Sequence, residues 1–219
     1  MATVPSILEE ASREAAVAHA RAYFVGAGSS RPPFTGANFD SIGHRWDDAR
    51  FTNEITASDL VALSTLSVPV TGGAANEILS PEFQSKASAL LMEIPTHASI
   101  ASAGAFERWM IGDALAWRLW YLVDDVRDMG AVSTSKLLAR KRANLVPIYD
   151  TEISAAWGLG GPNDMWRPMQ QLLSGSDGAL LAVGEEIRHV AGVPSFVAPL
   201  RVLDAVVWHW RKYPASVLN

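Results

Sequence analysis

One stretch of the sequence combines a carboxylate with several cations, and this combination could do chemistry on a molecule that carries phosphate. Lys136 and Arg140 are four residues apart, so they would share one face of a helix, with Arg142 close behind. Gly130 can adopt the positive φ of a sharp turn and so present backbone N–H groups to a phosphate. Asp150 follows as an acidic residue after the Pro-containing link. The pattern indicates a phosphate-binding site with one acidic group.

The same residues also have purely structural interpretations. Asp150 precedes Thr151-Glu152-Ile153, where it could be the N-cap of a helix. The cations could form an exposed, solvated helix face, and exchanging them for acidic residues would then cost little stability.

Local signals predict the elements that would position these residues. A turn at Met129-Gly130 would begin a short basic helix, and Pro147 would stop it. Before the turn, the segment DALAWRLWYLVDDVRD has apolar residues at helical spacing, and Asp113 could cap it. Its Trp117 and Trp120 are expected in the core rather than as platforms for stacked bases.

The remainder of the chain predicts further helices and one long loop. Pro5 to Phe24 is expected to be a helix, and Thr56 with Asp59 is expected to form a capping box at the start of another. Residues 26–53 show no periodicity and are expected to form a long loop, pinned to the body by its aromatic residues.

The fold class predicted is all-α, with about eight to ten helices in a single domain over residues 1–219. The N- and C-terminal helices could pack together, and residues 113–153 form the region around the turn.

Composition narrows the class of protein. The 219 residues are 49% hydrophobic and 19% charged, which indicates a folded globular protein with a net charge of −5. Cysteine is absent, which excludes disulfides and thiol chemistry, and the five histidines lack metal-binding spacing. We expect no metal, no cofactor and no membrane partner, and the N-terminal residues do not resemble a signal peptide. A cytoplasmic location is the expectation.

The segment MGAVSTSKLLARKRANLVPIYDTEISAAWGL resembles the helix-hairpin-helix and catalytic-aspartate region of base-excision DNA glycosylases. With Gly130 at the last glycine of the hairpin, Ser133 takes the threonine position and Asp150 takes the catalytic aspartate without a gap. The chain as a whole also resembles an uncharacterised bacterial family through the motifs YF-x-G, FT-G-x-x-F, KLLARKR and PxYD.

The resemblance implies a protein that binds double-stranded DNA and is, at most, a monofunctional glycosylase. Val132 stands at the position of the lysine that forms a Schiff base, Asp128 replaces a glycine, and Glu152 replaces a histidine. The implied roles are catalysis for Asp150 and DNA contacts for Gly130, Ser133, Lys136, Arg140 and Arg142. Independently of the resemblance, Tyr149, beside Asp150, and His44 and Trp46 of the long loop could line a pocket.

A non-enzymatic helical module that binds a partner or regulates is the alternative. DNA binding requires the cations and Asp150 to line one open cleft. The alternative predicts that this cleft is filled by the protein itself and that Asp150 serves only as a helix cap.

Overall fold

The computed structural model describes residues 2–26, 33–43, 49–162 and 164–214, and it confirms the all-α class. Twelve α-helices lie within these residues: α1 Arg13–Phe24, α2 Ala49–Asn53, α3 Ala57–Thr65, α4 Gly72–Ile78, α5 Pro81–Glu93, α6 Ala105–Trp109, α7 Leu115–Asp124, α8 Ala131–Lys141, α9 Thr151–Trp157, α10 Trp166–Ser174, α11 Ala179–Ala191 and α12 Pro199–Lys212. This is more than the eight to ten expected, because several of the helices have only five to seven residues.

The N-terminal segment differs from the predicted continuous helix. Residues Ser6–Leu8 and Glu10–Ser12 form two 3₁₀ turns, and the α-helix begins only at Arg13. Glu9 is extended between the turns, with φ −71° and ψ 158°. The preceding turn buries Ile7 and Leu8 in the core, and it packs against α1 and α12.

Helix starts follow local signals where a side chain can reach a free backbone group. The capping box of α3 is confirmed, because the Thr56 backbone N–H donates to Asp59 Oδ2 at 2.7 Å. Asp113, in contrast, does not cap α7: the helix begins at Leu115, and Ala114 is the extended N-cap residue.

Two groups of helices form the core. Helices α1, α11 and α12 pack on one another, as expected for the terminal helices, and α9 packs on α12. Helix α8 packs against α3 and α7, and nine of its eleven residues are buried. The predicted basic surface helix is therefore an internal helix.

Parts of the segment predicted as a loop, residues 26–53, are helical. A 3₁₀ helix spans Thr35–Asn38, and α2 lies at the end of the segment. Phe34 stacks on Tyr23, with ring centroids 5.4 Å apart, and Phe39 is fully buried. These two aromatic rings attach the segment to the body as expected, whereas Trp46 lies outside the described residues.

The turn before α8 has the predicted backbone conformation. Gly130 has a φ of +79° and is the N-cap residue, and Asp128 also has a positive φ of +70°. Asp128 Oδ2 accepts a hydrogen bond from the Thr71 hydroxyl at 3.1 Å, and Met129 is buried between these two exposed residues. The turn is thus anchored at its centre and at one side.

Candidate functional site

A cavity of about 260 Å³ lies between α1, α8, α9 and α12. Its wall combines aromatic rings with charged groups, namely Tyr23, Phe34, Trp208 and Tyr213 with Lys136, Asp150 and Arg201. Typical ligand pockets measure roughly 300–1,000 Å³ and place a few polar groups in a largely apolar wall. The cavity is a little smaller than this range but has the same mixed lining.

Asp150 lies in the cavity wall at the N-terminus of α9. Its Oδ1 accepts a hydrogen bond from the backbone N–H of Glu152 at 3.0 Å, which confirms the predicted N-cap. Its Oδ2 lies 3.8 Å from Nζ of Lys136, and the side chain is 21% exposed. The cap holds one carboxylate oxygen in place, while the other can face a ligand.

Lys136 reaches the same cavity from α8. Its Nζ donates a hydrogen bond to the carbonyl oxygen of Leu66 at 3.2 Å, and the residue is 6% exposed. Burial lowers the pKa of Lys136 against the opposing charge of Asp150, and Arg201 lowers it further. The lysine and the aspartate together form a polar centre in the cavity wall.

Arg201 connects the cavity wall to a buried acid. Its Nη2 donates to the Tyr23 hydroxyl at 2.9 Å and to the carbonyl oxygen of Gly36 at 3.3 Å. Its Nε lies 3.5 Å from Oδ2 of Asp40. Burial raises the pKa of Asp40, although Arg201 and Arg140 act to lower it. Arg201 therefore holds Tyr23, one of the four aromatic residues of the wall.

Asp204 lies one turn after Arg201 on α12 and is 2% exposed. The backbone N–H of Ile148 donates to this carboxyl, whereas its Oδ1 has no hydrogen-bond partner. Burial raises the pKa of Asp204 to about 7 against the charge of Arg201, and Asp150 and Asp40 raise it further. An aspartate with this pKa changes between its protonated and ionised forms near neutral pH.

The prediction that Arg140 and Arg142 lie on an exposed basic face of α8 is wrong, since each residue is 1% exposed. Arg140 donates to the carbonyl oxygens of Phe39 and Ile42 and to Asp59. Arg142 donates to the carbonyl oxygens of Leu91, Ile94 and Thr52. A guanidinium group used in this way cannot reach a phosphate on the surface, so the two arginines are internal ligands of the backbone.

Lys141 is also held in the interior, by a buried acid. Its Nζ forms an ion pair with Asp59 and donates to the carbonyl oxygen of Phe51 at 2.7 Å. Burial alone would raise the pKa of Asp59, but the charges of Lys141 and Arg140 hold it below its usual value. The acid that caps α3 thus also holds the C-terminal end of α8.

The other predicted contacts lie away from the cavity. Gly130 is exposed in the turn before α8, and Ser133 is buried in its first turn. Tyr149 is half-buried outside the cavity lining, and its backbone N–H donates to the Ser135 hydroxyl at 3.0 Å. His44 and Trp46 lie outside the described residues, so the structure does not place them.

Several residues of the cavity were not predicted from the sequence. The sequence singled out neither Arg201 and Trp208, which line the cavity, nor Asp204, which lies one turn from Arg201. The signal that could have identified the charged pair is its position in a run, residues 199–207, that is otherwise apolar.

Two further properties of the described residues concern metals and membranes. His19 Nδ1 and His209 Nδ1 lie 2.7 Å apart, but no group of three or more His, Asp or Glu side chains in the described ranges could hold a metal ion. None of the helices described above is both long enough and apolar enough to cross a membrane.

Comparison with known proteins agrees with the resemblance to an uncharacterised family, and it gives neither an activity nor a match to DNA glycosylases. No curated protein and no solved structure matches the chain significantly. Residues 16–211 match a family of unknown function (DUF6308), and the chain belongs to this family.

Proposed function

We propose that the protein binds one nucleotide of a DNA duplex in the cavity and removes the base of that nucleotide, as a monofunctional relative of the helix-hairpin-helix DNA glycosylases. The observation that carries the proposal is Asp150, which lines the cavity and whose Oδ2 lies 3.8 Å from Lys136 Nζ. This is the residue that the sequence register assigns to the catalytic aspartate.

The chemistry needs one fixed negative charge beside the sugar. When the bond between base and sugar breaks, positive charge develops on the sugar ring, and a preorganised carboxylate stabilises it. Water then supplies a hydroxyl group to the sugar carbon, and the base leaves with a proton. Asp150 is held for this role by its cap hydrogen bond, and Tyr23 and Phe34 provide an aromatic wall for a flat base.

Phosphate contacts fall on the turn before α8 in this proposal, because Arg140 and Arg142 are buried. The N-terminus of α8 has no side-chain cap, and the backbone N–H groups of a helix N-terminus attract phosphate. Lys136 would contribute inside the cavity rather than on the surface. Contacts from one turn predict weak binding to a duplex.

Base release tests the chemistry. We expect Asp150→Asn to keep the cap and the fold, since an amide oxygen can also accept from Glu152, but to lose base release from duplexes that carry damaged or mismatched bases. Asp125→Asn, at the exposed C-cap of α7, is the matched control and should keep full activity. Equal activity of all three proteins would move the chemistry away from Asp150.

Binding to a duplex with an abasic-site analogue tests the phosphate contact. Ala131→Asp places a negative charge at the start of α8 and should weaken binding, whereas Ala179→Asp at the exposed start of α11 should not. The affinity of the unmodified protein should fall as salt rises, because phosphate contacts release counterions. Equal affinity of both variants would remove the turn from the interface.

The alternative, a non-enzymatic helical module, is favoured by one observation. The arginines of α8 are buried and structural, so they do not supply the basic surface expected of a DNA-binding protein. Absence of binding to any duplex at low salt would support this alternative, and the cavity would then belong to a different small ligand.

A further inference from the structure

One acid beneath the cavity, Asp204, has no role in the proposed function. Among the described residues, the charges that interact with it and with its neighbours Asp40 and Asp150 are those of Arg201, Lys136 and Arg140, and Arg140 is also paired with Asp59. The Tyr23 hydroxyl accepts from Arg201, and Lys212 interacts with Asp150.

The geometry singles out Asp204 as the acid that lacks a cation. Arg201 Nε lies 3.5 Å from Asp40, and Lys136 Nζ lies 3.8 Å from Asp150, whereas the described residues include no ion pair for Asp204. Its Oδ1 is buried without a hydrogen-bond partner. An ionised carboxylate in such a position is unfavourable unless positive charge comes close.

We propose that Asp204 is a second acidic residue of the site, a positioning residue that acts on the ligand through Arg201 and through its field at Asp150, and that the site therefore prefers a ligand carrying positive charge on its sugar ring. This inference rests on the proposed function. Asp204 does not line the cavity, so it acts without touching the ligand.

The state of Asp204 sets the net charge of the cluster. Ionisation of Asp204 adds one negative charge that no ion pair among the described residues offsets. The pKa of about 7 for Asp204 means that this change falls near neutral pH. A transition state with positive charge on the sugar is stabilised by the additional negative charge.

The first test is the pH profile of base release. We expect the rate of the unmodified protein to rise about tenfold from about pH 6 to about pH 8, a change of about 1.4 kcal/mol in the barrier. Asp204→Asn, which resembles the protonated acid in shape and charge, should stay at the low-pH rate throughout. A profile for Asp204→Asn that parallels the unmodified protein would overturn the proposal.

A second variant keeps the test decisive if Asp204→Asn does not fold. Asp40→Asn removes the partner of Arg201, which leaves more positive charge for Asp204 and should move the rise to lower pH. An unchanged or upward-shifted midpoint would show that the two acids do not share Arg201, which contradicts the proposal.

Binding of sugar analogues separates this inference from the proposed base removal. A duplex with a pyrrolidine in place of one sugar carries a protonated ring nitrogen, and the same duplex with a tetrahydrofuran is its neutral control. We expect the preference for the pyrrolidine to increase about tenfold through neutral pH in the unmodified protein and not in Asp204→Asn. If the preference for the pyrrolidine depends on pH but no base is released, the proposed base removal is wrong while the role of Asp204 stands. If the preference does not depend on pH, the role of Asp204 is wrong.

Discussion

The cations of α8 show how a charged side chain can serve the interior. Charged residues are almost never fully buried unless they are paired, and a guanidinium group has five N–H donors to satisfy. Arg140 and Arg142 meet this requirement mainly with backbone carbonyl oxygens from residues 39–42, 52 and 91–94. Burial lowers the pKa of Arg142 to about 10, so it remains charged at neutral pH.

Arg140→Ala should therefore be severely destabilising. The variant leaves Asp59 with one cation fewer and leaves two carbonyl oxygens without donors, and breaking a buried ion pair costs about 3–5 kcal/mol. Urea unfolding of this variant beside Arg118→Ala, which removes an exposed arginine on α7, measures the difference. Arg118→Ala should change stability by less than about 0.5 kcal/mol. Similar losses for both variants would contradict the structural role of Arg140.

Asp204 predicts a pH dependence of stability that needs no ligand. The pKa of Asp204 is about 7 in the folded protein, whereas an ordinary aspartate has a pKa of 3.8, so between these two pH values the folded state holds a proton that the unfolded state has lost. Stability from this group consequently falls as pH rises from about 4 to about 7, by on the order of 4 kcal/mol, and the fall ends above the folded pKa.

Comparison with Asp204→Asn isolates this effect. The variant has no titrating group at this position, so its stability should depend less steeply on pH over the same range. Thermal unfolding of both proteins at several pH values measures the difference. Parallel curves would mean that Asp204 is ionised in the folded protein at all of these pH values.

Residues with local partners were predictable from the sequence, and residues with distant partners were not. Asp150 and Asp59 each accept from a backbone N–H within three residues, and such caps leave a clear pattern in the sequence. The partners of Arg140 lie 81 to 101 residues away, so nothing near it distinguishes a buried arginine from an exposed one.

Among the elements, helix positions were predicted better than helix surroundings. The turn at Gly130, the helix after it and the start of α9 at Asp150 all occur where local signals indicated them. The burial of α8 could not be seen, because its polar residues suggest a surface helix until their partners are known. The N-terminal 3₁₀ turns were missed because apolar spacing alone does not separate them from an α-helix.

The crossing of α11 and α12 depends on the absence of a side chain at Gly184. A Cβ atom there would lie 2.7 Å from the carbonyl oxygen of Pro199 and 3.1 Å from Cγ of Leu203. Gly184→Ala should therefore force the two helices apart and cost about 1–3 kcal/mol, despite the better helix propensity of alanine.

Chemical unfolding of Gly184→Ala beside Gly73→Ala gives the comparison. Gly73 lies in α4, where the nearest atom to a new Cβ is 3.9 Å away, so this change should be neutral or slightly stabilising. A stabilised Gly184→Ala would show that α11 and α12 can separate without loss.

For the whole molecule, the sequence predicted the all-α class and the contact between the terminal helices, both of which are confirmed. The single domain and the relation to DNA glycosylases stay predictions. The cavity could not be derived in advance, since its wall comes from α1, α8, α9 and α12, which only the tertiary fold brings together.

The backbone carbonyl contacts of Arg140 and Arg142 also affect how the molecule opens. If residues 39–42 and 51–53 detached on their own, two guanidinium groups would lose ligands while the rest of α8 stayed buried, which makes such partial opening unfavourable. Amide hydrogens of α3 and α8 should therefore exchange with solvent at one common free energy, equal to that of global unfolding. The arginines of α8 thus join segments far apart in the chain into one cooperative unit.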